Sequence, residues 1–174
     1  MGWLVGWAAL FLAAIVLFVQ YARASDIIRD TGDLPSGTNG RKAFSLARTQ
    51  MAIWTFLVGG ALAFIFIVTW NENTITAGVL VLIGISSGTT LLAATADGPN
   101  PTPQVTQGFI SDLLTDGTGP SFHRYQMLLF TAILAVIFVV KVGSSLAMPD
   151  FDATLLALMG ISNGTYLGFK LQGK

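Results

Sequence analysis

The sequence contains no cysteine and a single histidine, and only 10% of its 174 residues are charged. The lack of cysteine excludes disulfides, thiolate metal sites and cysteine nucleophiles, and the lone His123 argues against a histidine-ligated haem. Nine Lys and Arg balance nine Asp and Glu, so no net charge draws the chain to nucleic acid. We therefore expect no cofactor, no metal and no nucleic-acid partner.

Hydrophobic residues make up 53% of the chain, and the mean hydropathy is +0.69. They are concentrated in five uncharged runs of about bilayer length: Met1 to Ala22, Thr49 to Asn71, Asn73 to Ala96, Tyr125 to Val140, and Ala153 to Phe169. A helix that crosses a bilayer needs about 20 such residues. Open strands cannot cross lipid without leaving backbone groups unpaired. The sequence therefore predicts an all-α polytopic membrane protein with five transmembrane helices.

The first run allows an alternative, because Ala22-Arg23-Ala24 is similar to a signal-peptide cleavage site. However, no Lys or Arg precedes its apolar core, and that core is longer than the core of a signal peptide. We expect it to be an N-terminal transmembrane helix.

The cations are distributed unequally between the two sides of the predicted spans. Eight of the nine fall on one side, namely Arg23, Arg29, Arg41, Lys42, Arg48, Arg124, Lys170 and Lys174. The opposite side has only Lys141, together with Glu72, Asp150 and Asp152. Cytoplasmic loops carry the excess of Lys and Arg. This predicts an N-terminus outside and a C-terminus in the cytoplasm.

The sequence also repeats itself. A shift of 76 residues places SLARTQM (45–51) on SFHRYQM (121–127) and GISSGT (84–89) on GISNGT (160–165) without a gap. A shift of 86 places SDIIRD (25–30) on SDLLTD (111–116). Each copy has two spans, so both copies cross in the same sense, as parallel repeats related by an axis along the membrane normal do. The predicted organisation is an N-terminal helix (1–22), a first hairpin unit (23–96) and a second (97–174).

The GIS segments place polar residues in the middle of predicted spans. Their glycines form small-xxx-small pairs that allow close helix packing: Gly84, Gly88, Gly160 and Gly164. Their polar residues face either protein or water, which leaves two interpretations open. They strengthen helix packing, or they line a narrow polar path for an ion. The pore-lining candidates are Ser86, Ser87, Thr89, Thr90, Ser162, Asn163, Thr165 and Tyr166.

Each hairpin begins with a cation in its first turn, Arg48 or Arg124, after a candidate N-cap, Ser45 or Ser121. A cation there opposes the helix dipole, so we expect an acidic or a lipid-phosphate partner for each arginine. The acidic candidates are Asp26, Asp30, Asp112 and Asp116. Gln50 and Gln126, further into the spans, are expected to form hydrogen bonds across helices.

The motifs SLARTQM with GISSGT, and SFHRYQM with GISNGTYLGFK, resemble those of a group of small bacterial membrane proteins. The resemblance covers about residues 44 to 174. It implies a location in the bacterial inner membrane, and it implies no activity and no site residues.

Two classes of function follow from these patterns. The first is an oligomeric channel or pore for a small ion or solute. Five short spans do not easily enclose a permeation path, but several copies of the chain around an axis could. The alternative is a structural or accessory subunit whose GxxxG surfaces mediate assembly with itself or with a membrane partner. No catalytic constellation is present, and His123 beside Arg124 is typical of an interfacial residue. An enzyme is therefore not expected.

Overall fold

Long apolar segments free of proline form the helices of this protein. The computed structural model describes residues 2–70, 75–98, 101–116 and 119–172. Its six helices are α1 (Gly2–Ala24), α2 (Leu46–Thr69), α3 (Ala77–Asp97), α4 (Phe109–Leu114), α5 (Phe122–Ser145) and α6 (Ala153–Gln172). None of the six prolines of the chain lies inside these helices, as expected from the cost of proline in a helix interior.

Among the described residues, three helices are long and apolar enough to cross a membrane: α2, α3 and α5. Helix α6 is long enough but falls short in hydropathy, because Ser162, Asn163 and Lys170 lie in it. In α1, the described side chains include the apolar stretch Ala9–Ala24. The all-helical fold is thus confirmed, and membrane crossing by α1 and α6 stays a prediction. Three residues that bound the predicted apolar runs lie outside the described residues: Met1, Asn71 and Asn73.

Four helices form the centre of the molecule, with α2 packed on α3 and α5, and α6 packed on the same two helices. Helices α3 and α6 are parallel, because Thr76 at the start of α3 donates to the Pro149 carbonyl and Lys170 near the end of α6 meets Asp97 at the end of α3. We call the end of the bundle where α2 and α5 begin and α3 and α6 end the loop end.

This set of neighbours limits how the two hairpins can be related. A two-fold axis through the middle of the bundle would place α2 diagonally opposite α5. Instead, α2 lies beside α5, and α3 lies beside α6. Any axis along the membrane normal that relates the hairpins must therefore lie outside the four-helix bundle.

Helix boundaries follow the spacing that the sequence repeat requires. Helix α5 begins and ends 76 residues after α2, and α6 begins 76 residues after α3. Helices α2 and α5 both end at a left-handed residue, Trp70 (φ 54°) and Leu146 (φ 50°), whose N–H bonds to the carbonyl four residues earlier. The duplication as a whole stays a prediction, which superposition of the two hairpins would test.

Side chains on the inner faces of these helices form two hydrophobic clusters. The larger contains Trp54, Ile65, Leu82, Phe138 and Met159. The second lies nearer the loop end and contains Phe44, Leu46, Leu113, Met127 and Tyr166.

Within the described part of the chain, helix α1 packs on α2. Phe18 contacts Phe56 with ring centroids 4.7 Å apart. The Phe11 ring lies so close to Gly60 that a side chain there would overlap it. Away from this contact, α1 exposes Leu10, Leu12 and Leu17, which suits contact with lipid.

Candidate functional site

An amide cluster in the bundle interior connects three helices. The Gln50 side-chain amide on α2 donates to the Thr131 hydroxyl on α5 at 2.9 Å and to the Asn163 amide oxygen on α6 at 3.3 Å. All three residues are buried. Interhelical hydrogen bonds of this kind contribute about 0.6 to 2 kcal/mol each in membrane proteins. We call Gln50, Thr131 and Asn163 the amide cluster.

The candidate pore-lining residues mostly face the packed interior or bond to backbone. Thr89, Thr90 and Thr165 each donate to the carbonyl four residues earlier. Thr90 also donates across the hairpin to the Ala47 carbonyl at 3.1 Å. Three further candidates, Ser86, Ser162 and Tyr166, are buried together with Asn163 of the amide cluster, whereas Ser87 is exposed.

The motif glycines do not make close backbone contacts within the described chain. A methyl group added to Gly84, Gly88 or Gly164 would meet no atom within 4 Å, and one on Gly160 would meet only the end of Ile85. A packing role for these glycines therefore depends on a neighbour outside this chain, and it stays a prediction.

Eight buried side-chain polar atoms have no hydrogen-bond partner within the described chain. Two are the Nε atoms of Arg29 and Arg124 at the loop end, and the other six lie in the bundle interior. These six are Thr49 Oγ1, Gln50 Oε1, Trp54 Nε1, Ser86 Oγ, Ser162 Oγ and Asn163 Nδ2. Buried polar groups are normally satisfied by protein or by ordered water. The interior is therefore more polar than its own hydrogen bonds account for.

At the loop end, Asp112 on α4 acts as an acceptor for three donors. Its carboxylate accepts from the Thr106 hydroxyl at 2.6 Å, the Gln107 amide at 2.8 Å and the Phe44 amide at 3.0 Å. Asp112 is 5% exposed. Because Phe44 precedes α2 and Asp112 precedes α5, this carboxylate connects the entrances of the two hairpins.

The corresponding residue of the first copy, Asp26, is exposed and pairs with cations. Its carboxylate lies 2.9 Å from Lys42 Nζ and 3.5 Å from Arg41 Nη2. The hydrogen bond from Lys42 lowers the pKa of Asp26 below its usual value. Nearby, the buried Arg29 lies over the Phe44 ring, 4.0 Å from its centroid, and donates to the Lys42 carbonyl.

A cavity of about 590 Å³ opens at the loop end. Its charged and aromatic lining consists of Asp30, Asp97, Asp112, Asp116, His123, Arg124, Lys170, Tyr166 and Phe169. Lys170 pairs with Asp97 at 3.0 Å, and the His123 ring stacks on Phe169 with centroids 4.6 Å apart. Burial raises the pKa of Asp30, against the opposing charges of Lys170 and Arg124.

The two first-turn arginines are placed differently. Arg124 donates to the backbone carbonyl of Asp112 at 3.0 Å and lies 5.6 Å from the Tyr166 ring centroid. Arg48 lines a small cavity together with Asp30. Ser45 and Ser121 occupy the N-cap positions of α2 and α5 without making a side-chain cap bond. Gln126 is half-buried.

Sequence reasoning did not identify Thr131 as the partner of Gln50 or Trp54 as a buried residue with an unpartnered indole N–H. Thr131 was visible only as a polar residue inside an apolar run, and Trp54 has no motif around it. Within the described ranges, His, Asp and Glu side chains do not gather in groups of three or more that would hold a metal ion.

The described residues form an all-helical fold with a polar interior and a charged loop end. Three of their helices are long and apolar enough to cross a membrane, which is compatible with an integral membrane protein. Comparison with protein-family models, with curated proteins and with solved structures gives no match for this chain.

Proposed function

We propose that this chain is a structural or accessory subunit of a membrane assembly. The observation that carries the proposal is the use of polar side chains to join helices within one chain. The amide cluster joins α2, α5 and α6, and Thr90 joins α3 to α2. A pore wall would instead present such groups to an open path.

The proposed assembly surface is the outer face of α3 and α6. Gly84 and Gly88 on α3, and Gly164 and Gly168 on α6, leave space for the backbone of a neighbouring helix. The surface suits a second copy of this chain or a membrane partner with small residues. The bilayer covers the remaining apolar surface, with exposed residues such as Leu91 and Val136.

Native mass spectrometry of the detergent-solubilised protein tests self-assembly. Gly88→Leu and Gly164→Leu should reduce the oligomer to monomer. Gly59→Leu is the matched control, because Gly59 on α2 also has no atom within 4 Å of an added methyl but lies outside the GIS motifs. Equal loss of the oligomer in all three variants would argue against this surface.

An oligomeric channel is the second candidate, and the unpartnered polar atoms of the interior favour it. Ion flux from liposomes that contain purified protein distinguishes the two. Flux above that of empty liposomes, altered by Ser86→Ala or Asn163→Ala in a normally assembled protein, would replace the accessory proposal with the channel.

We also propose that the loop end faces the cytoplasm of a bacterial cell. Arg29, Arg41, Lys42, Arg124 and Lys170 lie near this end. Because the chain has no native cysteine, single cysteines at Ser36 and Ala147 report the orientation. An impermeant thiol reagent added to sealed cells should label position 147 and not position 36, and the reverse pattern would contradict this orientation.

A further inference from the structure

The unpartnered polar atoms inside the bundle belong to almost completely buried residues. Ser162 is 0% exposed, Ser86 and Gln50 are 1% exposed, and Asn163 is 2% exposed. A polar group buried without a hydrogen bond costs from about 1 to several kcal/mol. Several such groups in one protein interior therefore require a polar neighbour.

These atoms lie at a similar height along the bundle. Thr90 on α3 donates to the Ala47 carbonyl, so Ser86, one turn earlier in the antiparallel α3, lies about one turn further into the bundle, near Gln50. Gln50 in turn contacts Asn163 at 3.3 Å and Met159 Sδ at 3.7 Å. Polar atoms of α2, α3 and α6 thus converge on one region.

Rotating the side-chain amides of Gln50 and Asn163 still leaves polar atoms without hydrogen-bond partners. The present arrangement leaves Gln50 Oε1 and Asn163 Nδ2 without partners. Rotating both amides by a half turn would let Asn163 donate to Gln50, but Gln50 Nε2 and Asn163 Oδ1 would then lose the bond that they now share.

The mixture of atoms indicates which ligand fits. Trp54 Nε1 and Asn163 Nδ2 are donors, Gln50 Oε1 is an acceptor, and the two serine hydroxyls are both. A metal cation would be repelled by the N–H donors, and no carboxylate is present among the six atoms to balance its charge. Water both donates and accepts, so it suits this set.

A route to the region begins at the loop end. A cavity of about 10 Å³, close to the minimum for one water, is lined by Thr90 together with Arg48 and Lys170. Thr90 donates to the Ser86 carbonyl, so one residue of the cavity lining lies one helical turn from Ser86.

We infer that ordered water binds inside the bundle, bridges Gln50, Ser86, Ser162 and Asn163, and enters from the loop end past Thr90. The inference does not rest on the proposed assembly role, because it concerns the interior of a single chain. The helices in this region would be held together by water as well as by direct bonds.

X-ray radiolytic footprinting of the full chain in lipid nanodiscs tests this inference, because bound water generates hydroxyl radicals beside buried side chains. Met159 and Met127 are both 0% exposed. Met159 contacts Gln50, whereas Met127 belongs to the second hydrophobic cluster. During an X-ray exposure of microseconds, Met159 and Trp54 should be oxidised, and Met127 should not.

Gln50→Leu should abolish the oxidation of Met159, and Ser162→Ala, a smaller change, should lower it if Gln50→Leu does not fold. Val142→Ala, in the apolar core near the end of α5 opposite the loop end, should leave the oxidation of Met159 in place. An unmodified Met159 in the wild-type protein, or equal oxidation of Met159 and Met127, would overturn the inference.

Discussion

The two acidic segments, residues 25–30 and 111–116, form corresponding backbone hydrogen bonds near their ends and differ in what their side chains do. Ser45 N–H bonds to the Ile28 carbonyl as Ser121 N–H bonds to the Leu114 carbonyl, at 2.9 and 2.8 Å. Asp30 and Asp116 likewise donate their N–H groups to the Ala43 and Gly119 carbonyls. Each segment thus pairs with the residues that lead into its hairpin.

Their side chains differ in exposure. In the first segment Asp26 is exposed among cations, and Arg29 is buried. In the second, Asp112 is buried among three donors, while Thr115 replaces the arginine. Similar backbone hydrogen bonds therefore accompany exposed ion pairs in the first segment and a buried carboxylate in the second. The cost in free energy of unfolding should differ between losing the Asp26 ion pairs and losing the Asp112 carboxylate.

The largest effect should come from Asp112→Ala. The change leaves the buried Phe44 amide without its acceptor, which costs about 1 to 3 kcal/mol. It also removes the acceptor of the more exposed Gln107 amide. We expect a loss of about 3 kcal/mol in the free energy of unfolding, measured by SDS titration with tryptophan fluorescence. A loss below that of Asp26→Ala would contradict the contrast between the segments.

Arg29→Met should have the next largest effect. It removes the contact with the Phe44 ring and the bond to the Lys42 carbonyl, at a cost of about 2 kcal/mol. The matched change Thr115→Ala in the second segment removes only a bond to the Ser111 carbonyl and should cost about 1 kcal/mol or less. Similar losses in the same titration would show that the arginine has no special role.

Asp26→Ala should cost about 0 to 1 kcal/mol, because exposed ion pairs contribute little. The lowered pKa of Asp26 determines how its contribution to stability changes with pH. Its contribution is present above the usual aspartate pKa and is lost as the pH falls through its folded pKa. High salt should reduce the difference between wild type and variant, and a difference that persists in high salt would argue against an ionic origin.

At acidic pH, Asp30→Asn should change the free energy of unfolding less than the other variants do. Its effect should depend on pH in the sense opposite to that of Asp26→Ala. Because burial raises the pKa of Asp30, the wild type loses stability as the pH rises from the usual aspartate value, near 4, through the folded pKa. The variant should therefore be the more stable protein at higher pH and equal the wild type below about pH 3. Asp116→Asn, on an exposed residue, is the matched control, and an equal gain there would exclude burial as the cause.

Much of the helical fold could be predicted from composition. Apolar runs without proline placed α2, α3, α5 and α6, because the cost of unpaired backbone in lipid leaves helices as the only choice. Ser45 and Ser121 marked the starts of α2 and α5. The hydropathy of α6 did not reach that of a span, because the same polar residues that suggested a site reduce it.

The candidate site was harder to predict. Gln50 forms hydrogen bonds across helices as expected, but its partner Thr131 is 81 residues away, and only the packing of α2 on α5 brings the two together. Asp112 was expected to pair with a first-turn arginine. Its carboxylate instead accepts the Phe44 amide, while Arg124 reaches the Asp112 backbone carbonyl. The hydrogen-bond partners of Asp112 and Arg124 depend on the geometry of the loops, which the hydrophobic pattern of the sequence does not encode.

The bond between the Phe44 amide and Asp112 has a consequence for biosynthesis. The residues that lead into α2 leave the ribosome long before residue 112, 68 positions later. The strand-like pairing of Ala43 with Gln104 and of Arg41 with Thr106 also waits for the second half of the chain. The first hairpin is translated early, but its entrance is completed only when the loop between the hairpins has been translated.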